Sequence, residues 1–577
     1  MASSLSFLLL SLILCYGVVQ LQASHVYNHL QSTISSKISP PANEPYRTGY
    51  HFQPVKNWIN DPNGPMLYKG IYHLFYQYNP NGTAWGPPVW GHSTSTDMVN
   101  WSPQPLTMQP EILANRYGSW SGSATILPGN KPAILFTGII IPQPQNSQVQ
   151  DLALPKDLND PYLKEWYLPT KNNPVMFPTP QNQINSSSFR DPTTAWMLPD
   201  GKWRVLVGNK RATRGMALMF RSKDFVNWVQ AKHPLYSYPK SGMWECPDFY
   251  PVYKNGKIMG AETSAIGSLV KHVLKASLDD TKHDIYTIGS YDTKRDAYTP
   301  DVGFMNASSL RYDYGKFYAS KTFFDYSKNR RILLGWANES STAADDVIKG
   351  WSGIHNTPRT IWLDEHNKQL IQWPISEIES LRGKPVKVPR REIKGRSTVE
   401  VTGITAVQAD VSISFKIKDL TKVEKFDEKW TDPQLLCSVK GTTVKGGLGP
   451  FGLLTLASKG LEEYTAVFFR VFKAHKKFVV LMCSDQSRSS QNPTTDKTTY
   501  GTFVDVDPIA EGLSLRALID HSVVESFGGK GKSVITARAY PTLATFKNAH
   551  VFAFNYGSSS VEITELTAWS MKKAKIA

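Results

Sequence analysis

Four cysteines in 577 residues, charged side chains at only 19% and no uninterrupted apolar run long enough for a bilayer remove several classes of protein at once. A disulfide-built scaffold needs far denser cysteine. A spanning helix needs about 20 consecutive apolar residues, and the run from Phe7 to Cys15 is followed by Gln20 and Gln22. Neither paired cysteines at metal spacing nor His-Glu-x-x-His occurs, so no metal and no cofactor is expected. What the chain has in quantity is 16 Trp, 38 Pro and 39 Gly, which suits strands joined by tight turns better than helix bundles or disorder. Its length exceeds what one hydrophobic core supports, so two domains are expected.

The first 24 residues combine that short apolar run with small residues at Ala23 and Ser24, the pattern of a secretory signal. Sequons at Asn81, Asn100, Asn185, Asn306 and Asn338 suit a glycosylated, secreted chain. With Cys15 in the signal, Cys246, Cys437 and Cys483 remain. The last two lie in apolar, strand-like runs and are expected to bridge neighbouring strands in an oxidising compartment. Cys246 is then left as a small buried hydrophobe. The net charge is +16, yet the basic residues are spread along the chain, and the one cluster, Lys384 to Arg396, falls in an expected linker over 381–398. Nucleic acid is therefore not an expected partner. Diffuse positive charge suits either retention on an acidic extracellular polysaccharide or a merely soluble basic surface.

Three acidic residues stand in short proline-bearing contexts: Asn60-Asp61-Pro62-Asn63-Gly64, Phe189-Arg190-Asp191-Pro192 and Trp244-Glu245-Cys246-Pro247-Asp248. Each alone reads as a turn. Because proline keeps the preceding residue out of the helical region and donates nothing to a sheet, the stretches Val55 to Ile59 and Ser188 to Phe189 read as strands ending in an aimed carboxylate. Three such carboxylates form a candidate site for attacking, protonating and holding a sugar.

A weak repeat organises the chain: Asp97 to Trp101, Asp160 to Trp166 and Asp224 to Trp228 each run from Asp through a short insert to Trp. Their spacing suits radially arranged four-stranded sheets, and residues 50–380 accommodate five. Turn-bounded strands are expected at Gly70 to Tyr78, Lys131 to Gly138, Trp203 to Lys210 and Arg331 to Trp336. A propeller also explains the triad, since innermost strands surround one axis. A short helix is expected from Ile375 to Leu381, then the linker, then an antiparallel sandwich over 399–577 with alternation at Val411 to Ile417, Ala466 to Phe472 and Leu513 to Ile519. The run Asp520 to Glu525 is expected to be structural, because neighbours on a strand face opposite ways.

The three proline-bearing motifs together resemble those of the plant acid invertases and fructan exohydrolases of glycoside hydrolase family 32. The similarity runs from His51 to the C-terminus and implies an all-β chain, a five-bladed β-propeller followed by a β-sandwich. It implies Asp61 as nucleophile, Glu245 as acid and base, and Asp191 as the group gripping fructose hydroxyls. A retaining mechanism needs Glu245 protonated in the first step, so burial and the charges of Asp61 and Asp191 are expected to raise its pKa, with Arg190 keeping Asp191 ionised. Trp58, Asn60, Gln77, Trp85, Trp120, Ser121 and Arg190 fall at positions implied to line the sugar site. Asp279 and Lys282 resemble the Asp-x-x-Lys pair that holds the glucose side of sucrose. Pro247 resembles the cell-wall type, which implies a secreted enzyme of the cell wall. Departures are Pro87 and Pro88 where Asn and a β-branched residue are usual, Val55 in place of Pro, and a shorter segment at Thr263 to Leu269. The reading that follows is a secreted β-fructofuranosidase acting on sucrose, with a fructan exohydrolase as the alternative and a catalytically silent sugar-binding protein as a third.

Overall fold

The computed structural model describes residues 44–302 and 310–576. The expected signal segment and the Asn306 sequon lie outside the described residues. Among those residues no helix is long and apolar enough to cross a membrane.

Five sheets follow one another along the first part of the chain, each beginning with an innermost strand: Asn57–Tyr68, Ser119–Leu127, the broken pair Phe189–Arg190 and Trp196–Met197, Trp244–Tyr253, and Tyr318–Asp325. They form the five blades of a propeller. The ring is closed by Trp351–Ser352, which leaves the fifth blade's connection and runs parallel beside Asn57 and Trp58 of the first.

The second strand of each blade reads as a nearly continuous apolar run because both of its faces are buried. Successive residues then feed two different cores. In blade two, Ile134 and Phe136 pack towards Phe75 and Trp90 of blade one, while Leu135 packs with Val205 and Val207 of blade three. In blade three, Leu206 turns to Phe249 and Leu274 of blade four. In blade five, Leu333 meets Tyr250 and Val273 of blade four, and Ile332 and Leu334 meet Ile59 and Leu74 of blade one. Every blade is thus glued to both neighbours by alternate residues of a single strand.

The Asp-to-Trp repeat is the turn between the third and outermost strands of the first three blades. Asp97 accepts the amides of Val99 and Asn100 and the Asn100 side chain at 2.8 Å; Asp224 does the same with Val226 and Asn227. Asp160 accepts from the amides of Tyr162 and Lys164. At the matching position Met98, Leu163 and Phe225 all adopt positive φ, of 60°, 44° and 67°. The Asx-turn chemistry, rather than an apolar periodicity, is what recurs.

The remainder forms two seven-stranded sheets packed face to face, with an apolar core that includes Val411, Phe415, Phe451, Phe469 and Ile563. The short helix expected before the sandwich is present as a 3-10 helix, Ser376–Leu381. Three expectations are corrected. The segment 381–398 is not a free linker: Val386–Val388 and Arg391–Ile393 pair with the last long strand, Val561–Ser570. The strand carrying Asp61 does not stop there but continues through Pro62 to Tyr68. Cys437 and Cys483 are joined, but Cys437 lies on the helix Pro433–Val439 and only Cys483 on a strand, Phe478–Asp485. Asp432 caps that helix by accepting from the amides of Gln434 and Leu435, with Pro433 in the first turn, so local capping overrode the apolar Leu435-Leu436-Cys437 run.

Propeller and sandwich meet through a buried ionic network. His51 bonds Asp520 through Nδ1 at 2.9 Å and Glu525 through Nε2 at 2.8 Å. Asp520 also accepts the amides of Gly49, Tyr50 and His51. Arg359 reaches Glu525 at 2.6 Å and Asp313 at 2.9 Å. The Asp520 to Glu525 run is therefore structural. Burial alone would lower the His51 pKa, but the two carboxylates outweigh it and raise it to about 9. Protonated His51 stabilises the docked pair fully below its unfolded value near 6.5, and that contribution is lost as pH rises through about 9. A His51→Gln variant is expected to melt lower than the parent at pH 6, with the gap narrowing above pH 9, in thermal unfolding followed across pH.

Candidate active site

All five innermost strands lose regular pairing near their first residues, on the same end of the propeller. Pairing shifts between Ile59 and Pro62 in blade one, between Trp120 and Gly122 in blade two, between Glu245 and Asp248 in blade four and between Tyr318 and Lys321 in blade five. In blade three the strand breaks after Arg190, and Asp191 takes a φ of 68°. A bulge bends the strand and re-aims a side chain, so Asp61, Ser121, Asp191, Glu245 and Tyr318 converge from five blades. Pro62, Pro192 and Pro247 withdraw donors where the ladder is interrupted. Gly208 permits the close approach of blades three and four: a Cβ there would lie 2.0 Å from the Trp244 carbonyl oxygen.

Asp61 Oδ2 accepts from Ser121 Oγ at 2.5 Å, and Gln77 Nε2 donates to the same hydroxyl at 2.6 Å. Asn60 Nδ2 lies 3.2 Å from Asp61 Oδ1. Asp191 Oδ2 accepts the Cys246 amide at 2.8 Å, while the Asp191 amide donates to Thr137 at 2.8 Å. The buried Cys246 thiol lies 3.3 Å from Asp61 and 3.6 Å from Asp191, so it is more than a small hydrophobe, although burial and both carboxylates push its pKa well above the usual range. Glu245 receives Arg190 through Nε at 3.2 Å and Nη2 at 2.9 Å on one oxygen, and the Tyr318 hydroxyl at 2.5 Å on the other.

Around this centre stand the other expected residues. Trp85, 49% exposed, meets Trp120 edge-on with ring centres 5.5 Å apart, and Arg190 lies over Trp120 at 5.7 Å. Trp58 packs edge-on against Trp336 at 5.8 Å. Asn60 Oδ1 and the indole nitrogens of Trp58 and Trp336 are buried and take no partner among the described residues. Asp279 pairs with Lys282 and stands 3.6 Å from Arg190, and Lys282 Nζ stands 3.7 Å from Glu245 Oε2. Pro87 is exposed, whereas Pro88 is buried and its carbonyl accepts the Ser119 amide at 3.0 Å. Asn81 and Asn338 are exposed sequons; Asn100 and Asn185 are half-buried, with side-chain amides donating to Asp97 and to the Lys210 carbonyl.

The electrostatics differ from the sequence expectation. Burial, then Asp191 and Glu245, push Asp61 up to about 7 against the bonds from Ser121 and Cys246. Burial also raises Asp191, with the Arg190 charge opposing it. As expected, the Arg190 charge favours ionised Asp191, but its hydrogen bonds go to Glu245, whose immediate neighbours are the guanidinium, the Lys282 ammonium and a phenol. Tyr318 remains a donor because burial and Glu245 raise it far above its ordinary value. Tyr318 and Trp336 escaped the sequence reading because no proline marks them. The available signal was positional: Tyr318 opens the innermost strand of the last blade.

Comparison with known proteins agrees with this architecture. Residues 51–374 match the glycosyl hydrolases family 32 N-terminal domain and residues 377–570 the family 32 C-terminal domain, so the chain belongs to glycosyl hydrolase family 32. It is 59% identical over 578 residues to the β-fructofuranosidase insoluble isoenzyme CWINV1 of Arabidopsis thaliana, covering 99% of this chain and 98% of that protein. It is 58% identical over 537 residues to a fructan 6-exohydrolase of Beta vulgaris, covering 92% and 88%. The crystal structure of fructan 1-exohydrolase IIa from Cichorium intybus superposes with a TM-score of 0.90 at 50% identity, covering 93% and 99%.

The raised Asp61 carboxyl costs stability when it ionises. Its folded value lies above the model-compound 3.8, so the cost is absent below about pH 4 and complete above about pH 7. Asp61→Asn is expected to stabilise the protein by roughly 2–4 kcal/mol at pH 8 and by nothing measurable at pH 3.5, read from denaturant midpoints at the two pH values.

Proposed function

We propose that this chain is a secreted β-fructofuranosidase that hydrolyses sucrose to glucose and fructose with retention. The observation that carries the reading is the placement of Asp61 and Glu245 in one mouth, in contrasting surroundings, with Asp191 beside both. Asp61, held by Ser121 and Asn60, attacks the anomeric C2 of fructose while Glu245 delivers a proton to the leaving glycosidic oxygen. This forms a covalent fructosyl ester. Glu245 then takes a proton from water, the water oxygen attacks C2, and Asp61 is released as carboxylate. Asp191 accepts from fructose hydroxyls, and the free donors of Trp58 and Trp336 and the acceptor of Asn60 suit a polyhydroxyl ligand, since buried polar groups need partners.

Protons balance across the triad as a set. Coupled carboxylates share macroscopic titrations, and one proton is held in this cluster up to about pH 7. The first step uses the form in which that proton stands on Glu245 and Asp61 is the carboxylate. As pH rises through about 7 the cluster loses the proton that the leaving group requires, so activity belongs to the acidic side. The kcat/KM for sucrose is expected to fall about tenfold per pH unit above about 7, in initial rates measured from pH 4 to pH 9.

Lys282 stands 3.7 Å from Glu245 and Asp279 stands 3.6 Å from Arg190, next to the residue that would protonate the leaving group, and this nearness supports a role for the pair on the glucose side. A second reading, release of terminal fructose from fructans, draws on the Trp85 to Pro88 rim and on the exohydrolase relatives. Initial rates on sucrose, inulin and levan separate the two. Asp279→Ala is expected to lower kcat/KM on sucrose about tenfold more than on inulin; equal losses would remove the glucose-side role.

The relatives' names include insoluble isoenzyme and, for one from Pisum sativum at 62% identity, cell wall isozyme. Together with the net charge of +16, these names support export to the cell wall and ionic retention on acidic polysaccharide.

A further inference from the structure

The basic cluster that reads as a linker in sequence is the outer edge of a sandwich sheet. From Lys384 to Lys394 the chain lies antiparallel to the last strand, with Lys387 opposite Thr567 and Arg391 opposite Ile563, and among the described residues no strand pairs on its other side. At the rise of an extended chain this edge is roughly 30 Å long. Lys384, Lys387, Arg391 and Lys394 are exposed and enter no ion pair among the described residues, whereas Arg382 and Arg390 are bound to Asp410 and Glu562. The C-terminal tail extends the same edge: Gly383 N donates to the Ser570 carbonyl and Lys572 N to the Leu381 carbonyl, both at 2.8 Å. This brings the exposed, unpaired Lys572 and Lys573 alongside. Glu392 is the exposed acid within the stripe.

We propose that this edge is the docking surface for a linear acidic polysaccharide, a polyuronate whose regularly spaced carboxylates lie along the strand. This rests on the reading that the chain is exported to an acidic matrix and gives that retention a location. Charge complementarity selects a polyanion. Two features select a polysaccharide over an added β-strand: Pro385 and Pro389 interrupt the edge and supply no backbone donor, and protruding cations discourage strand pairing. The stripe belongs to the sandwich sheet that continues through Gln408–Lys416 and Leu513–Asp520, while the carboxylates lie in the propeller, so a docked chain leaves them free to work.

The test compares two variants of the purified protein with equal net charge. One carries Lys384→Glu, Lys387→Glu, Arg391→Glu and Lys573→Glu. The other carries Lys429→Glu, Lys459→Glu, Lys476→Glu and Lys477→Glu, which are exposed cations off the stripe. Binding to de-esterified polygalacturonate beads is measured at low salt, about 50 mM, and on raising salt to about 1 M, where screening acts over only ~3 Å. The stripe variant is expected to bind about tenfold or more weakly than the parent, with the second variant within about twofold, and fully methyl-esterified beads to retain none of the proteins. Equal losses in both variants would overturn the proposal in favour of diffuse charge. Unchanged binding with aggregation of the stripe variant would overturn it in favour of edge protection. Sucrose turnover, measured in parallel, is expected to match the parent in both; absence of turnover in the parent would overturn the catalytic reading and leave the binding result standing.

Discussion

Everything at the mouth of the propeller depends on one constraint: the innermost strand of each blade must abandon its ladder at the same level of the axis. A regular strand sends alternate side chains into the two neighbouring cores and has no reason to aim a carboxylate along the axis. The shifts at Asn60-Asp61, Ser121 and Cys246-Pro247, and the break after Arg190, supply that direction. The cost is bounded because the second strands remain regular and carry the apolar contacts between blades. Irregularity is confined to the strand that lines the axis.

Concentrating acids in so small a volume creates a second demand, for counter-charge. Arg190 meets it without neutralising the wrong group. Its side chain crosses from blade three to Glu245 of blade four, and the adjacent Asp191 is turned away by its positive φ to take the Cys246 amide. Among the described residues Asp61 has no ion-pair partner; a serine hydroxyl, a thiol and an amide contact it, and burial with the charges of Asp191 and Glu245 raises it to about 7. Neighbours in sequence thus serve different carboxylates, and residues far apart in sequence act on the same one.

Much of this was readable beforehand. The triad, the five-fold sheet count, the sandwich and the convergence of Trp58, Gln77, Trp120, Ser121, Asp279 and Lys282 followed from motifs, turn chemistry and resemblance. The failures share a cause. Pro62 announced a strand end, yet a strand that needs no donor at a bulge runs straight through it. Leu435-Leu436-Cys437 looked like a strand until the Asp432 cap and Pro433 made a helix of it. Lys384 to Arg396 looked like a linker because its cations face solvent, which an edge strand also allows. Local composition described each surface correctly and its partner wrongly.

The sequence by itself determined which carboxylates stand in proline-marked segments and where the blade turn recurs in the first three blades, because proline, Asx turns and alternating apolar residues act over a few neighbours. Only the tertiary structure decided which acid loses its solvent, that Arg190 gives its hydrogen bonds to Glu245, that Tyr318 closes the ring, and that a basic segment lies along a sheet edge. Those outcomes depend on distances between residues dozens to hundreds of positions apart, and burial and Coulomb interactions follow distance in space, not separation along the chain.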